Sequence, residues 1–236
     1  MSWRRKIVFC FCCLLWAFPV MGQSPADSGQ AKAMVKKLSR QPEIHQVTIG
    51  FDFGRILFNN LFPSRKGYEM QVDYNWSDNL YFAAETGWGR GKIDYAFLKY
   101  TTKGTFIRLG VNKTLLGRLG PNDFDNAFIG VRYGMGFGHM SDAAFSVSSP
   151  FGGSSDGEVP GQNYFVHWGE LVGGLKVGFW HNLYAGWTVR GKFLFNPGTF
   201  GNLSPNYIPG FGKGDKNTIF DFNFYLSYGI QWRQSK

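Results

Sequence analysis

Residues 220–232 read Phe-Asp-Phe-Asn-Phe-Tyr-Leu-Ser-Tyr-Gly-Ile-Gln-Trp, and this stretch decides the fold class. Every second residue from Phe220 to Trp232 is large and apolar, and most of the residues between them are polar or small. Because successive side chains of a strand point to opposite faces, one face of this strand is apolar and the other polar. An ordinary strand has about 5–6 residues, whereas a tilted strand needs about 9–11 to cross a bilayer. The pattern therefore predicts a membrane-spanning β-strand.

Seven earlier segments alternate in the same way, at 47–53, 68–76, 80–88, 107–112, 127–137, 170–179 and 183–195. The links at 77–79 and 181–182 are tight, and the link at 117–126 is somewhat longer. The remaining connections are long, at 59–66, 89–104, 139–163 and 196–217. Short turns on one side and long loops on the other are typical of transmembrane barrels. We therefore predict an all-β fold, an antiparallel eight-stranded transmembrane β-barrel with meander topology.

The N-terminal residues have the composition of an export signal. Arg4, Arg5 and Lys6 precede a nearly continuous apolar run, Ile7 to Val20, which is too short for a transmembrane helix. We expect a signal peptide at 1–22, a periplasmic lead-in at 23–45 and an outer-membrane barrel at 46–236. All cysteines lie within the signal, so the mature chain has no thiol for a disulfide, a metal or catalysis. We expect no metal and no cofactor.

The polar faces of the predicted strands carry charged side chains that would face the lumen. Each Arg or Lys turned toward lipid at mid-bilayer would cost roughly 2–4 kcal/mol, so these charges fix the register of the strands. Eight strands enclose an interior that side chains can fill, which predicts a plugged lumen with ion pairs and hydrogen bonds. The predicted lumen network consists of Asp52, Glu69, Asp73, Glu85, Arg108, Arg132, Glu170, Lys176, Arg190, Lys192 and Asp221.

Tryptophans recur near the ends of the predicted strands. Membrane interfaces collect Trp because its ring is apolar and its N–H is polar. The predicted interface aromatics are Trp76, Trp88, Trp168, Trp180, Trp187 and Trp232.

With its export signal, eight alternating strands, long outer loops and aromatic last strand, 220–232, the chain resembles the small OmpX- and OmpA-type outer-membrane β-barrels of Gram-negative bacteria. The Gly/Asn/Phe-rich loops resemble those of uncharacterised Bacteroidota families, including the PorT-like group. The resemblance covers about residues 46–236 and implies an outer-membrane location, with outer-membrane lipids and the barrel-insertion machinery as partners.

Three functions stay open at this point. The first is a non-enzymatic barrel that acts through its loops or wall in structure, adhesion or assembly; exposed loop aromatics (Phe145, Phe151, Phe200, Tyr207, Phe211) could contact an envelope protein. The second is a lipid-modifying enzyme, because His139-x-Ser141 resembles the motif of lipid A deacylases, in which a His and an acid activate the Ser. Asp142 and Glu158 are the candidates for that acid. The third is a soluble lipocalin-like binding barrel. The net charge of +9 falls to +6 without the signal and is too diffuse to indicate nucleic-acid binding.

Overall fold

The computed structural model describes residues 44–77, 79–116, 123–148, 152–201 and 203–233. The predicted signal peptide, most of the lead-in and the loop residue Phe151 lie outside this range. Ile44 and His45, which we assigned to the lead-in, already belong to the first strand. None of the described helices is long and apolar enough to span a membrane.

The described elements are ten strands, one α-helix and one 3-10 helix. In chain order they are β1 (Ile44–Asp52), α1 (Phe53–Leu61), β2 (Arg65–Ser77), β3 (Leu80–Tyr95), β4 (Leu98–Thr114), β5 (Asn126–Met140), β6 (Ala143–Ser148), β7 (Ser154–Val159), β8 (Gln162–Trp180), β9 (Leu183–Leu194), the 3-10 helix (Pro197–Phe200) and β10 (Thr218–Arg233).

Eight of these strands form a closed antiparallel barrel in the order β1-β2-β3-β4-β5-β8-β9-β10. The first and last strands close it, from Ile44 opposite Arg233 to Asp52 opposite Tyr225. Closure gives every wall strand two neighbours, which removes the open sheet edges that lipid cannot hydrogen-bond. The predicted fold class and meander topology are confirmed.

The two faces of the wall have opposite chemistry. Large apolar side chains are exposed on the outside of every wall strand, among them Phe51, Val72, Phe82, Leu109, Val131, Leu171, Val189 and Phe224. Charged and amide side chains of the same strands are buried inside, as the alternation predicts. A soluble lipocalin-like barrel would have the reverse arrangement, with apolar residues inside.

The long outer connections are more ordered than the sequence pattern indicated. Residues 89–104, expected to be a loop, largely continue β3 and β4 as a hairpin that extends past the barrel. Within 139–163, β6 and β7 form a second hairpin, and Phe145 of β6 pairs with Leu98 of β4. The two hairpins pack on each other, with Tyr100, Met140 and Ala143 in a small buried cluster.

Candidate functional site

The lumen contains most of the predicted charged side chains at full burial. The buried residues are Asp52, Glu69, Asp73, Glu85, Arg108, Arg132, Glu170, Lys176, Arg190 and Lys192. The Asp221 side chain is 23 % exposed and also points inward, toward the Lys192 ammonium group. The structure thus brings residues from all eight wall strands into one space.

Glu85 lies at the centre of this space and contacts three guanidinium groups. Its Oε2 is 2.7 Å from Arg108 Nη2 and 2.7 Å from Arg190 Nη1, and its Oε1 is 3.2 Å from Arg132 Nε. All four side chains are at most 1 % exposed. Removing one partner of a buried ion pair costs about 3–5 kcal/mol, because the other charge stays uncompensated. Ion pairs of Glu85 therefore link β3 to β4, β5 and β9 from inside the lumen.

Two further glutamates extend the network toward the outer end of the barrel. Glu170 contacts Arg190 at 3.1 Å and Arg108 at 3.3 Å, and it accepts a 2.6 Å hydrogen bond from Trp168 Nε1. Glu69 lies 2.6 Å from Arg108. Each shared arginine links two or three carboxylates, so the pairs form one connected network rather than isolated bridges.

Arg55 belongs to this network and was missed by the sequence analysis. Its guanidinium group lies 2.6 Å from Glu69, 2.5 Å from Asp221 and 3.5 Å from Asp52. With Arg55 included, the network and its extensions contain six acidic and six basic side chains, of which Arg55 and Asp221 are partly exposed. The period-two pattern could not find it, because Arg55 lies on α1. The usable signal was Asp52, which caps the helix by accepting a 3.1 Å hydrogen bond from the Arg55 backbone N–H.

The inner end of the lumen is aromatic. The Lys176 ammonium group lies 5.0 Å from the ring centre of Tyr81 and 5.4 Å from that of Tyr184. Phe124, from the connection between β4 and β5, packs against Tyr184 and Ile44 and is 1 % exposed. Gln46 donates a 2.7 Å hydrogen bond to the Tyr184 hydroxyl, so the layer beneath the charged network combines aromatic and amide side chains.

The outer end is occupied by the β9–β10 connection, which enters the barrel. Its buried residues Ile208 and Phe211 pack on Phe106, Val166 and Trp168 of the wall. Phe200, Tyr207 and Phe211 are all at most 7 % exposed, so our expectation that these aromatics project from a loop is wrong. Their burial removes apolar surface from water, which a free loop would leave exposed. We name the buried segment Tyr207–Phe211 the inserted loop.

Charged lumen residues bind the backbone of the inserted loop. Gly210 has φ +78° and presents its carbonyl to Lys192 Nζ at 2.7 Å and to Arg108 Nη1 at 3.2 Å. A side chain at Gly210 would overlap the Phe106 ring. Thr102 adds a 3.0 Å hydrogen bond to the Tyr207 carbonyl. The same cations thus satisfy both the carboxylates and the loop.

Of the predicted interface tryptophans, Trp76, Trp88, Trp180, Trp187 and Trp232 are exposed on the outer surface. The prediction is wrong for Trp168, which is fully buried inside the barrel. Trp168 shares the inward parity of Tyr164 and Glu170 on β8. Gly134 on the neighbouring strand leaves space for its ring, since a Cβ there would overlap the indole.

The structure does not pair His139 with Ser141. His139 Nδ1 lies 2.9 Å from the Asn163 side chain, whereas the Ser141 hydroxyl donates to the Asp142 carbonyl and accepts from the Thr101 backbone N–H. The Asp142 carboxylate accepts from the Gly161 N–H, and Glu158 is exposed on β7. A serine nucleophile needs an adjacent base within hydrogen-bond reach, and this arrangement lacks one. In the described part of the chain, no group of three or more His, Cys, Asp or Glu side chains could hold a metal ion.

A family model described as "Domain of unknown function (DUF6048)" matches residues 5–233. The chain belongs to the DUF6048 family. No curated protein matches the sequence of this DUF6048 member.

Several solved outer-membrane barrels have a similar fold. The attachment invasion locus protein Ail of Yersinia pestis has a TM-score of 0.40 at 8 % identity, covering 81 % of this chain and 100 % of Ail. The N-terminal β-barrel domain of Pseudomonas aeruginosa OprF has a TM-score of 0.32 at 12 % identity, covering 81 % and 98 %. Neisserial surface protein A has a TM-score of 0.32 at 12 % identity, covering 81 % and 96 %.

Proposed function

We propose that this protein is a non-enzymatic outer-membrane barrel without an aqueous pore, which acts through its outer end and its wall in structure, adhesion or assembly. The observation that carries the proposal is the connected network around Glu85, together with the inserted loop above it. A barrel that conducted ions would need an open path between these layers, and the side chains of this lumen contact one another instead.

The outer surface supports the membrane location. Exposed apolar side chains surround the barrel on all wall strands, and such a surface would aggregate in water. The inner-facing charges would be costly in contact with lipid, so a membrane stabilises this register and no other. Outer-membrane lipids are therefore partners in this proposal, and the barrel-insertion machinery would deliver the chain.

Conductance across planar bilayers tests the closed lumen. We expect purified full-length protein to give no steady channel currents, while an open porin inserted in parallel shows that the bilayers report pores. A steady open channel from the wild-type protein would overturn the closed lumen.

Cell fractionation tests the location separately. We expect the chain in the outer-membrane fraction, extractable only with detergent. Recovery in the soluble periplasm would refute the membrane location whatever the conductance shows.

A further inference from the structure

The barrel wall changes its construction where β1 ends. β1 pairs with β10 only up to Asp52 opposite Tyr225, and with β2 only up to Phe51 opposite Met70. Both neighbours continue toward the outer end, over 218–224 and 65–69. Within the described residues, α1 occupies the space between these two strand segments and contacts both of them.

Side chains attach α1 to the two strand edges. The Asn59 amide donates to the Gly67 carbonyl at 2.9 Å and accepts from the Gly67 N–H at 2.8 Å. Asp52 Oδ1 accepts from the Phe224 N–H at 3.3 Å. These three bonds replace some of the backbone hydrogen bonds that a continued β1 would form. A space lies between the helix and the inserted loop.

That space is a cleft of about 1000 Å³, which we name the lateral cleft. It lies between α1, the outer ends of β2, β3 and β10, and the β9–β10 connection. The charged residues that line it are Arg55, Arg65, Lys92, Asp94, Lys213, Lys216 and Asp221.

The lateral cleft has an excess of positive charge. Its two acids are already paired, Asp221 with Arg55 and Lys192, and Asp94 with Lys92 at 2.6 Å. The hydrogen bond from Lys92 lowers the pKa of Asp94, so this pair stays ionised at neutral pH. Arg65, Lys213 and Lys216 form no ion pair with any residue that the structure describes, although Arg65 Nη2 donates a 3.0 Å hydrogen bond to Asn206 Oδ1. Three cations that line one cleft attract an anion.

The lateral cleft is also lined by aromatic side chains that continue onto the outside of the barrel. Phe58 and Phe62 of α1 stack on each other and are 51 % and 57 % exposed. Phe222 lines the cleft and also stacks on Trp187 of the outer wall. A ligand in this cleft therefore meets both cations and aromatic rings that face the lipid.

We propose that the lateral cleft binds a phosphorylated lipid of the outer leaflet, with the phosphate on Arg65, Lys213 and Lys216 and an acyl chain over Phe58 and Phe222. Charge complementarity selects the phosphate group, and continuity with the apolar outer face selects a lipid over a soluble anion. This proposal rests on the proposed function in one respect, namely that the outer end of the barrel lies at the membrane surface.

The test measures binding of short-chain lysophosphatidic acid to the full-length protein in neutral detergent. Lysophosphatidylcholine with the same acyl chain and inorganic phosphate are the comparison probes. We expect lysophosphatidic acid to bind at least about tenfold more tightly than either, because only it combines a net negative headgroup with an acyl chain. Equal binding of the two lysolipids, or full competition by millimolar phosphate, would overturn the proposal.

A charge-matched pair of variants locates the binding site. Replacing Arg65, Lys213 and Lys216 by Gln (R65Q, K213Q, K216Q) removes the three cations of the cleft that form no ion pair. Replacing Lys66, Arg90 and Lys103 by Gln removes as much charge from exposed positions that do not line it. We expect the first variant to bind roughly tenfold to hundredfold more weakly and the second to bind within about twofold of wild type.

Equal losses in the two variants would refute the site, since net charge alone would then explain the binding. Far-UV circular dichroism confirms that both variants are folded. Failure of this test with the chain in the outer-membrane fraction removes only the lipid site. Recovery of the chain in the soluble fraction would refute the proposed location. Lipid binding measured in detergent would still show whether the cleft binds the lipid.

Discussion

Two parts of the barrel wall are closed in different ways. β9 and β10 pair without interruption over eleven residue pairs, from Thr218 opposite Phe193 to Tyr228 opposite Leu183. On the other side, β1 and β2 pair over only five, and α1 completes the outer part of the wall. A ladder of backbone bonds holds the first part, while single side chains hold the second.

The comparison shows how a barrel can have a specific site in its wall. Backbone ladders are nearly independent of side-chain identity, so a continuous wall holds together without particular side chains. Where α1 replaces a strand, the wall depends on particular residues, chiefly Asp52, Arg55 and Asn59, and it gains a cleft. The strand-paired part of the wall thus provides stability, and the part completed by α1 provides the cleft.

The largest effect is expected from the centre of the lumen, in the Glu85→Gln variant. Losing this carboxylate leaves three buried arginines with one fewer partner, so the free energy of unfolding should fall by about 3–5 kcal/mol. Urea unfolding in phosphatidylcholine vesicles, followed by tryptophan fluorescence, measures the change. Glu158→Gln, at an exposed position, is the matched control and should change stability by less than about 0.5 kcal/mol. Equal effects of the two would mean that the network contributes no stability.

A second variant tests packing in the continuous wall. Gly134→Ala places a methyl group against the rigid Trp168 ring, which should cost about 1–3 kcal/mol in the same unfolding assay. Gly198→Ala is the control, because a Cβ there meets open space. If Gly134→Ala is as stable as the control, Trp168 has room to move and the lumen is packed less tightly than described.

A third variant tests the helical part of the wall. Asn59→Ala removes both hydrogen bonds to Gly67, each worth about 0.5–1.5 kcal/mol. We expect faster hydrogen exchange at the Gly67 amide and at neighbouring amides of β2, with global unfolding shifted by no more than about 1–2 kcal/mol. Asn60→Ala, one residue along α1, should leave these amides unchanged. Unchanged exchange in Asn59→Ala would contradict the view that single side chains hold this part of the wall.

The smallest effect is expected at the rim of the lateral cleft. Lys92→Gln breaks an exposed ion pair with Asp94, which water and salt screen. The urea midpoint of unfolding should therefore equal that of the wild type within error. A loss of stability as large as that of Asn59→Ala would show that the rim, and not only the lumen, supports the fold.

The period-two pattern predicted the wall well because each strand has one apolar and one polar face. Phe220 to Trp232 was sufficient to assign faces to β10, and the charges on the polar faces marked the lumen. The pattern carried no information on Arg55, since a helix follows Asp52 and the period changes there. The same parity places Trp168 on the lumen face, two positions before Glu170, but the predicted strand began at residue 170 and Trp168 was therefore assigned to a strand end.

The β9–β10 connection was the least predictable region. Its Gly, Pro and Asn residues indicate turns, and nothing in 196–217 alone shows that Tyr207–Phe211 enters the barrel. That placement depends on the Gly210 carbonyl meeting Lys192 and Arg108, which are distant in sequence. A backbone carbonyl that is hydrogen-bonded by side chains distant in sequence produces no local sequence pattern.

The inserted loop makes the barrel a receptor that is permanently joined to its own peptide ligand. Because both ends of the segment are covalently fixed to β9 and β10, its effective concentration at Lys192 and Arg108 is of millimolar order or higher. A free peptide of the same sequence at micromolar concentration would therefore not displace it. Cutting the chain between Leu194 and Tyr207 would release one tether and leave the loop joined to β10, so its effective concentration would fall but would stay that of an intramolecular ligand.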